Sequence, residues 1–185
     1  MAQTLSTMLP LGTLAPSFVL PDASSGKMLR LAELQSETAT VIMFICNHCP
    51  YVKHVRHELA RLANDYQRRG VAFIAISSND IVAYPEDAPE HMKAFAREAG
   101  FTFPYLFDES QEVARAYQAA CTPDFYIFDR AMKCVYRGRL DDSRPKNDTP
   151  VTGKDLRAAL DAIIAGKPVS AEQHPSLGCN IKWKP

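Results

Sequence analysis

Two cysteines, Cys46 and Cys49, stand as C-x-x-C inside the stretch FICNHCPYV at 44–52. Two thiols at that spacing form a dithiol that can close to a disulfide and reopen, or half of a metal clamp. An apolar run precedes the pair and helical spacing follows it, so both cysteines fall at a strand–helix junction. A helix N-terminus carries unpaired backbone N–H groups and about half a positive charge, and both favour a thiolate over a thiol. Cysteines so placed can have pKa values lowered to about 3.5–7.5. Pro50 fits the first helical turn, where a missing N–H costs nothing. His48, between the two thiols, adds a positive charge when protonated. The expected chemistry is attack by a Cys46 thiolate on a disulfide or another electrophilic sulfur, giving a mixed disulfide. Cys49 then attacks Cys46 and releases the product. The bland alternative is two small buried residues at a helix start.

The elements that must hold this pair can be read along the chain. Residues 15–34, APSFVLPDASSGKMLRLAEL, read as two short strands around a Ser-Ser-Gly turn, an N-terminal β-hairpin, then a helical turn. TVIMFI, 40–45, is a continuous apolar run of β-formers, as expected of a strand buried on both faces. Val52, Val55, Leu59, Leu62 and Tyr66 then recur at helical spacing, and Gly70 stops that helix. VAFIAIS (71–77) reads as a second buried strand. A loop, SNDIVAYPEDAP, leads to a helix that opens at Pro89 and closes at Gly100. FPYLFD (103–108) reads as a short strand, and SQEVARAYQAA (110–120) as a helix capped by Ser110. DFYIFD (124–129) and KCVYRGRL (133–140) read as an antiparallel pair. Thr152 with Asp155 spells a capping box for a last helix carrying Leu156, Leu160, Ile163 and Ile164. Residues 167–185 form a C-terminal tail. The order predicts one α/β domain over 1–185, a central mixed sheet with helices on both faces.

Composition narrows the partners. Lysine plus arginine and aspartate plus glutamate number 21 each, so net charge is zero. That balance argues against nucleic acid or an anionic membrane as a partner. Hydrophobic residues make up 46 %, enough for a core without disulfide staples. The first residues show no basic n-region and no apolar h-region, and no run approaches the roughly 18 residues of a membrane span. A cytoplasmic setting is therefore expected. There, a close pair among five cysteines is catalytic or metal-binding rather than structural.

The chain resembles the thioredoxin-fold proteins of the redoxin branch, the alkyl hydroperoxide reductase and thiol-specific antioxidant proteins, over about residues 10–165. The resemblance rests on APSFVLPDASSGK, the strand–CNHCP–helix unit and CTPDFYIFD at 121–129. It implies a thioredoxin-like fold. It also implies that Pro123 is a cis proline facing the cysteine pair, and that the backbone of Thr122 pairs with an extended substrate segment. Peroxiredoxins of this branch carry Pro-x-x-x-Thr-x-x-Cys. Counting back from Cys46 gives Ala39 and Met43, and from Cys49 gives Ile42 and Cys46, which argues against efficient peroxide reduction. Thioredoxins place a buried acid six residues before the first cysteine, where this chain has Thr40. A histidine before the second cysteine is similar to the oxidising members of the fold, so a couple more oxidising than thioredoxin's is expected.

Three functions follow. The first is a thiol–disulfide oxidoreductase acting on protein or small-molecule disulfides with a thiol reductant, and it needs no cofactor. The second is a thiol peroxidase with Cys46 as peroxidatic thiol and Cys49 or Cys179 as resolver. The third is a metal-binding or copper-delivery module using Cys46, Cys49 and His48; two thiolates fall short of a closed four-ligand site, so no metal is assigned. Cys179 in the tail and Cys121, two residues before Pro123, are candidates for a third redox cysteine. Cys134 reads as core, His54 and His57 as solvated surface, and Asp80, Tyr84 and Asp87 as lining of the groove.

Overall fold

The apolar run before Cys46 becomes the middle strand of the molecule in a computed structural model that describes residues 3–185. In chain order the strands and helices are β1 (Gln3–Leu5), β2 (Val19–Pro21), β3 (Met28–Arg30), α1 (Leu31–Leu34), β4 (Ala39–Phe44), α2 (Pro50–Gln67), β5 (Val71–Ser77), α3 (Pro89–Ala99), β6 (Tyr105–Phe107), α4 (Glu112–Ala116), β7 (Cys121–Thr122), β8 (Asp124–Asp129), β9 (Cys134–Gly138), α5 (Lys154–Ile164) and β10 (Leu177–Asn180). The central sheet runs β6-β5-β4-β8-β9. Strands β6, β5 and β4 are parallel, and β8 and β9 join antiparallel. This is the thioredoxin-like fold, a mixed sheet between helices.

Both faces of the sheet are buried, which explains why β4 shows no polar alternation. Val41, Met43, Phe73, Ala75, Phe125 and Ile127 face one side, against the apolar stripes of α2, α3 and α5. Ile42, Phe44, Ile74, Ile76, Tyr126 and Phe128 face the other, under α1, α4 and the N-terminal segment at Leu9, Phe18 and Leu20. The stripe Val52, Val55, Leu59, Leu62 and Tyr66 seats α2 on the sheet. Each large apolar side chain so buried contributes about 1.5–3 kcal/mol. An exposed pair such as Arg69–Asp161 contributes about 0–1 kcal/mol. The stripe, not the ion pairs, therefore fixes where the N-terminus of α2 points.

Several sequence expectations shift. The helix expected over 110–120 is shorter, and its N-cap is Gln111 in a left-handed conformation rather than Ser110. The start of the helix is held by two side chains: Ser110 Oγ accepts the Glu112 N–H, and the buried Asp108 carboxylate accepts the Ala114 N–H. The Thr152–Asp155 capping box is absent: Gly153 is the N-cap of α5. Asp141 Oδ2 accepts the Thr152 and Gly153 N–H groups, and Asp155 turns instead to Arg139 at 2.6 Å. The largest change is in the tail. Strand β10 lies in a second sheet of order β1-β10-β7, antiparallel to both neighbours. Neither β1 nor β10 was legible as a strand, because each exists only through a partner far away in the chain.

Candidate active site

Strand β4 delivers Cys46 at its C-terminal end, where the Ile45 N–H still bonds to Ile76 O at 3.0 Å. Cys49 is the N-cap of α2 and Pro50 its first residue. Both cysteines are buried, 1 % and 0 % exposed. Opposite them lies the Thr122–Pro123 bond, which is cis, as the family resemblance implies. The Thr122 hydroxyl is 3.4 Å from Cys46 Sγ, and its carbonyl oxygen accepts from the Cys49 thiol at 3.2 Å.

A third sulfur completes the cluster. Residue Cys179 of β10 pairs with Thr122 in register and is buried in the same cluster as Cys46 and Cys49. Cys49 therefore has a sulfur neighbour on either side. Its pKa is pulled down to about 2 by Cys179 first and Cys46 second, with Thr122 and the Val52 N–H adding, against the opposing effect of burial. Cys46 moves the other way, well above the ordinary thiol value, because it donates to Cys49, is buried and feels Asp87. Cys179 is likewise raised, by Cys49 and then by burial. The cluster thus favours a single negative charge shared among the three sulfurs, drawn toward Cys49 by its sulfur neighbours and away from Cys46 by burial and Asp87. Burial and Asp87 disfavour the thiolate expected on Cys46 while both thiols are reduced.

His48 does not act on Cys46 as a lone cation. Its Nδ1 is 2.6 Å from Asp87 Oδ2, and its ring stacks on Tyr84 with centroids 5.4 Å apart. Asp87 is fully buried; its Oδ1 accepts the backbone N–H groups of Asn47 and His48, and its Oδ2 also accepts from Asn79. Burial alone would raise that carboxyl, but the bonds from His48 and Asn79 and the His48 charge hold it below the usual range. Asp87 in turn raises His48. The result is an ion pair anchoring the C-x-x-C loop, and its anionic half opposes a Cys46 thiolate. His48 Nε2 is buried with no partner among the described residues, leaving one N–H of the imidazolium free.

The other candidates separate. Cys121 is buried, and its thiol lies 3.9 Å from Pro123 O, outside the three-sulfur cluster. Cys134 belongs to the core. His54 bonds to Ser143 at 2.7 Å, and His57 is exposed beside Arg56. Tyr84 and Asp87 reach His48, whereas Asp80 closes a turn to Val82. Asn79 is the residue that sequence reasoning missed; its only signal was a polar run at a strand end. Cys46, His48 and Asp87 offer ligand atoms within 4.8 Å of one another, but a cation there would have to break the four hydrogen bonds to Asp87. Among the described residues, no helix is long and apolar enough to cross a membrane.

Comparison with known proteins places this arrangement. Residues 11–137 match the model of the AhpC/TSA family. The crystal structure of an uncharacterized conserved protein from Geobacillus kaustophilus is 64 % identical, with a TM-score of 0.98, covering 100 % of this chain and 98 % of that one. Thiol-disulfide oxidoreductase ResA of Geobacillus thermodenitrificans is 27 % identical over 162 residues, 86 % of this chain and 82 % of ResA. The thioredoxin domain of a thiol-disulfide oxidoreductase from Bacteroides vulgatus shares the fold at 17 % identity and a TM-score of 0.59, over 70 % of this chain and 88 % of that one.

Proposed function

Because the chain belongs to the AhpC/TSA family, we propose that it is a thiol–disulfide oxidoreductase whose redox couple is Cys46–Cys49. The observation that carries this reading is the two buried cysteines at the start of α2, both against Thr122 of the cis Thr122–Pro123 bond. Cys49, as thiolate, takes the proton of Cys46. The Cys46 thiolate so formed attacks one sulfur of a disulfide, and the other sulfur leaves as a thiolate. Cys49 gives up its proton to that leaving group, with the Thr122 carbonyl oxygen holding the S–H until then. The Cys49 thiolate then attacks Cys46 Sγ, the mixed disulfide breaks, and the second thiolate departs. A thiol–thiolate pair and a disulfide become a disulfide, one thiol and one thiolate. His48 is a positioning residue: with Asp87 it fixes the loop, and its Nε2 has no acceptor among the described residues.

The substrates proposed are protein or small-molecule disulfides, and the partner that resets the couple is a thiol. A reducing, cytoplasmic setting belongs to the proposal and rests on a core that needs no disulfide. Peroxide reduction is the weaker alternative, since neither cysteine carries the Pro-x-x-x-Thr-x-x-Cys frame. Insulin-disulfide and hydroperoxide turnover, measured side by side, test the choice. Disulfide turnover that vanishes in Cys46→Ser is expected, with Cys49→Ser trapping substrate as mixed disulfide. Hydroperoxide turnover far above disulfide turnover would overturn the reading.

A further inference from the structure

The edge of β7 that the family resemblance implies for an extended substrate is already occupied. Strand β10 lies on it antiparallel, with Cys179 opposite Thr122 and Asn180 opposite Cys121. The fit is close: a Cβ on Gly178 would stand 2.0 Å from Thr122 O, so only glycine allows the approach at that position. The strand is held along its length. Ser176 N–H donates to Ser6 Oγ, Ile181 N–H to Ala120 O and Lys182 N–H to Asn79 Oδ1, and the Gln111 side chain donates to Lys182 O. Asn79 thus ties the tail to Asp87, the anchor of the C-x-x-C loop. The seated strand places a thiol, 4 % exposed, in the buried cluster that holds Cys46 and Cys49.

We propose that Cys179 is a third redox residue, a resident thiol that exchanges with the Cys46–Cys49 disulfide; the proposal rests on the reading of that pair as the redox couple. When the pair is oxidised, Cys179 loses its proton and its sulfur attacks Cys49 Sγ, its neighbour across Thr122. The Cys49–Cys179 bond forms, the Cys46–Cys49 bond breaks, and Cys46 leaves as a thiolate that takes up the proton. The exchange consumes no oxidant or reductant: one disulfide replaces another, and Cys46 returns to the thiol state. β10 is then the chain's own substrate-like strand, and its cysteine moves the disulfide away from the attacking thiol.

The test is disulfide mapping of the full chain, treated with one equivalent of diamide, acid-quenched, alkylated and digested without reductant. In Cys46→Ser, where the main pair cannot form, Cys49 and Cys179 should lose alkylation and appear as one linked peptide. The wild type should yield both Cys46–Cys49 and Cys49–Cys179 links. Free, alkylated Cys49 and Cys179 in Cys46→Ser overturn the proposal, and so does a wild type that holds only the Cys46–Cys49 link. Cys179→Ser keeps the two readings apart. A Cys46–Cys49 link there sustains the redox pair whatever happens to Cys179, and its absence would count against the pair itself.

Discussion

At the scale of single residues, the site is a competition for one negative charge. The neighbours of Cys49 draw it toward that sulfur, while burial and the Asp87 carboxylate turn it away from Cys46. His48 and Asp87 neutralise each other, so their contribution appears in stability rather than in an activated thiol. Asp87 has a lowered pKa, so its contribution is complete above its unfolded value of about 3.9 and is lost as pH falls through the folded value. His48 has a raised pKa, so its contribution is complete below about 6.5 and is lost as pH rises through the folded value. Both are in force between those limits. Asp87→Asn should therefore cost about 1–3 kcal/mol, the range for an unsatisfied buried polar group, with most of the loss inside that window. Urea unfolding from pH 3 to 8 checks it; a variant with unchanged pH dependence would show that the pair contributes nothing. The pattern C-x-x-C singled out the pair, but not how its charge is shared. That depends on Asp87, Asn79 and Cys179, which come to the pair from distant stretches.

At the scale of elements, periodicity and turn residues were enough for most of the fold. The two buried strands, the long stripe of α2, Pro89 at the start of α3 and Gly100 at its end all read directly. Helix caps supplied from afar did not. The Thr152–Asp155 signature is present in sequence, yet Asp141, eleven residues before Thr152, holds the start of α5. Asp141→Ala should destabilise by about 1–2 kcal/mol, as losing a cap does, whereas Thr152→Ala should stay within about 0.5 kcal/mol. Denaturant midpoints of the two variants decide it; equal losses would restore the capping box.

At the scale of the whole molecule, both chain ends close over the active site. β1 pairs with β10, and β10 pairs with the cis-proline strand β7. The sequence showed the tail's alternation of Ile181 and Trp183 with lysines. It did not show that Gly178 lies against the Thr122 carbonyl. Gly178→Ala should unseat β10, with a loss of about 2 kcal/mol or more. Trp183, the single tryptophan, lies under Arg115 at 4.4 Å, so its emission reports the release. Unchanged emission together with unchanged thiol alkylation rates would mean that the strand accommodates the methyl group.

We propose that Cys46 and Cys49 form a redox couple whose reduced state is held by a stabilised thiolate within the pair. A redox titration of the full chain in glutathione buffers, read as the fraction of Cys46–Cys49 disulfide in mapped peptides, tests it most directly. Stabilising the thiolate stabilises the dithiol, so the account predicts a two-electron transition with a midpoint above thioredoxin's value of about −270 mV. A midpoint at or below that value would contradict the charge placement, and cysteines that never link at any poise would contradict the couple itself.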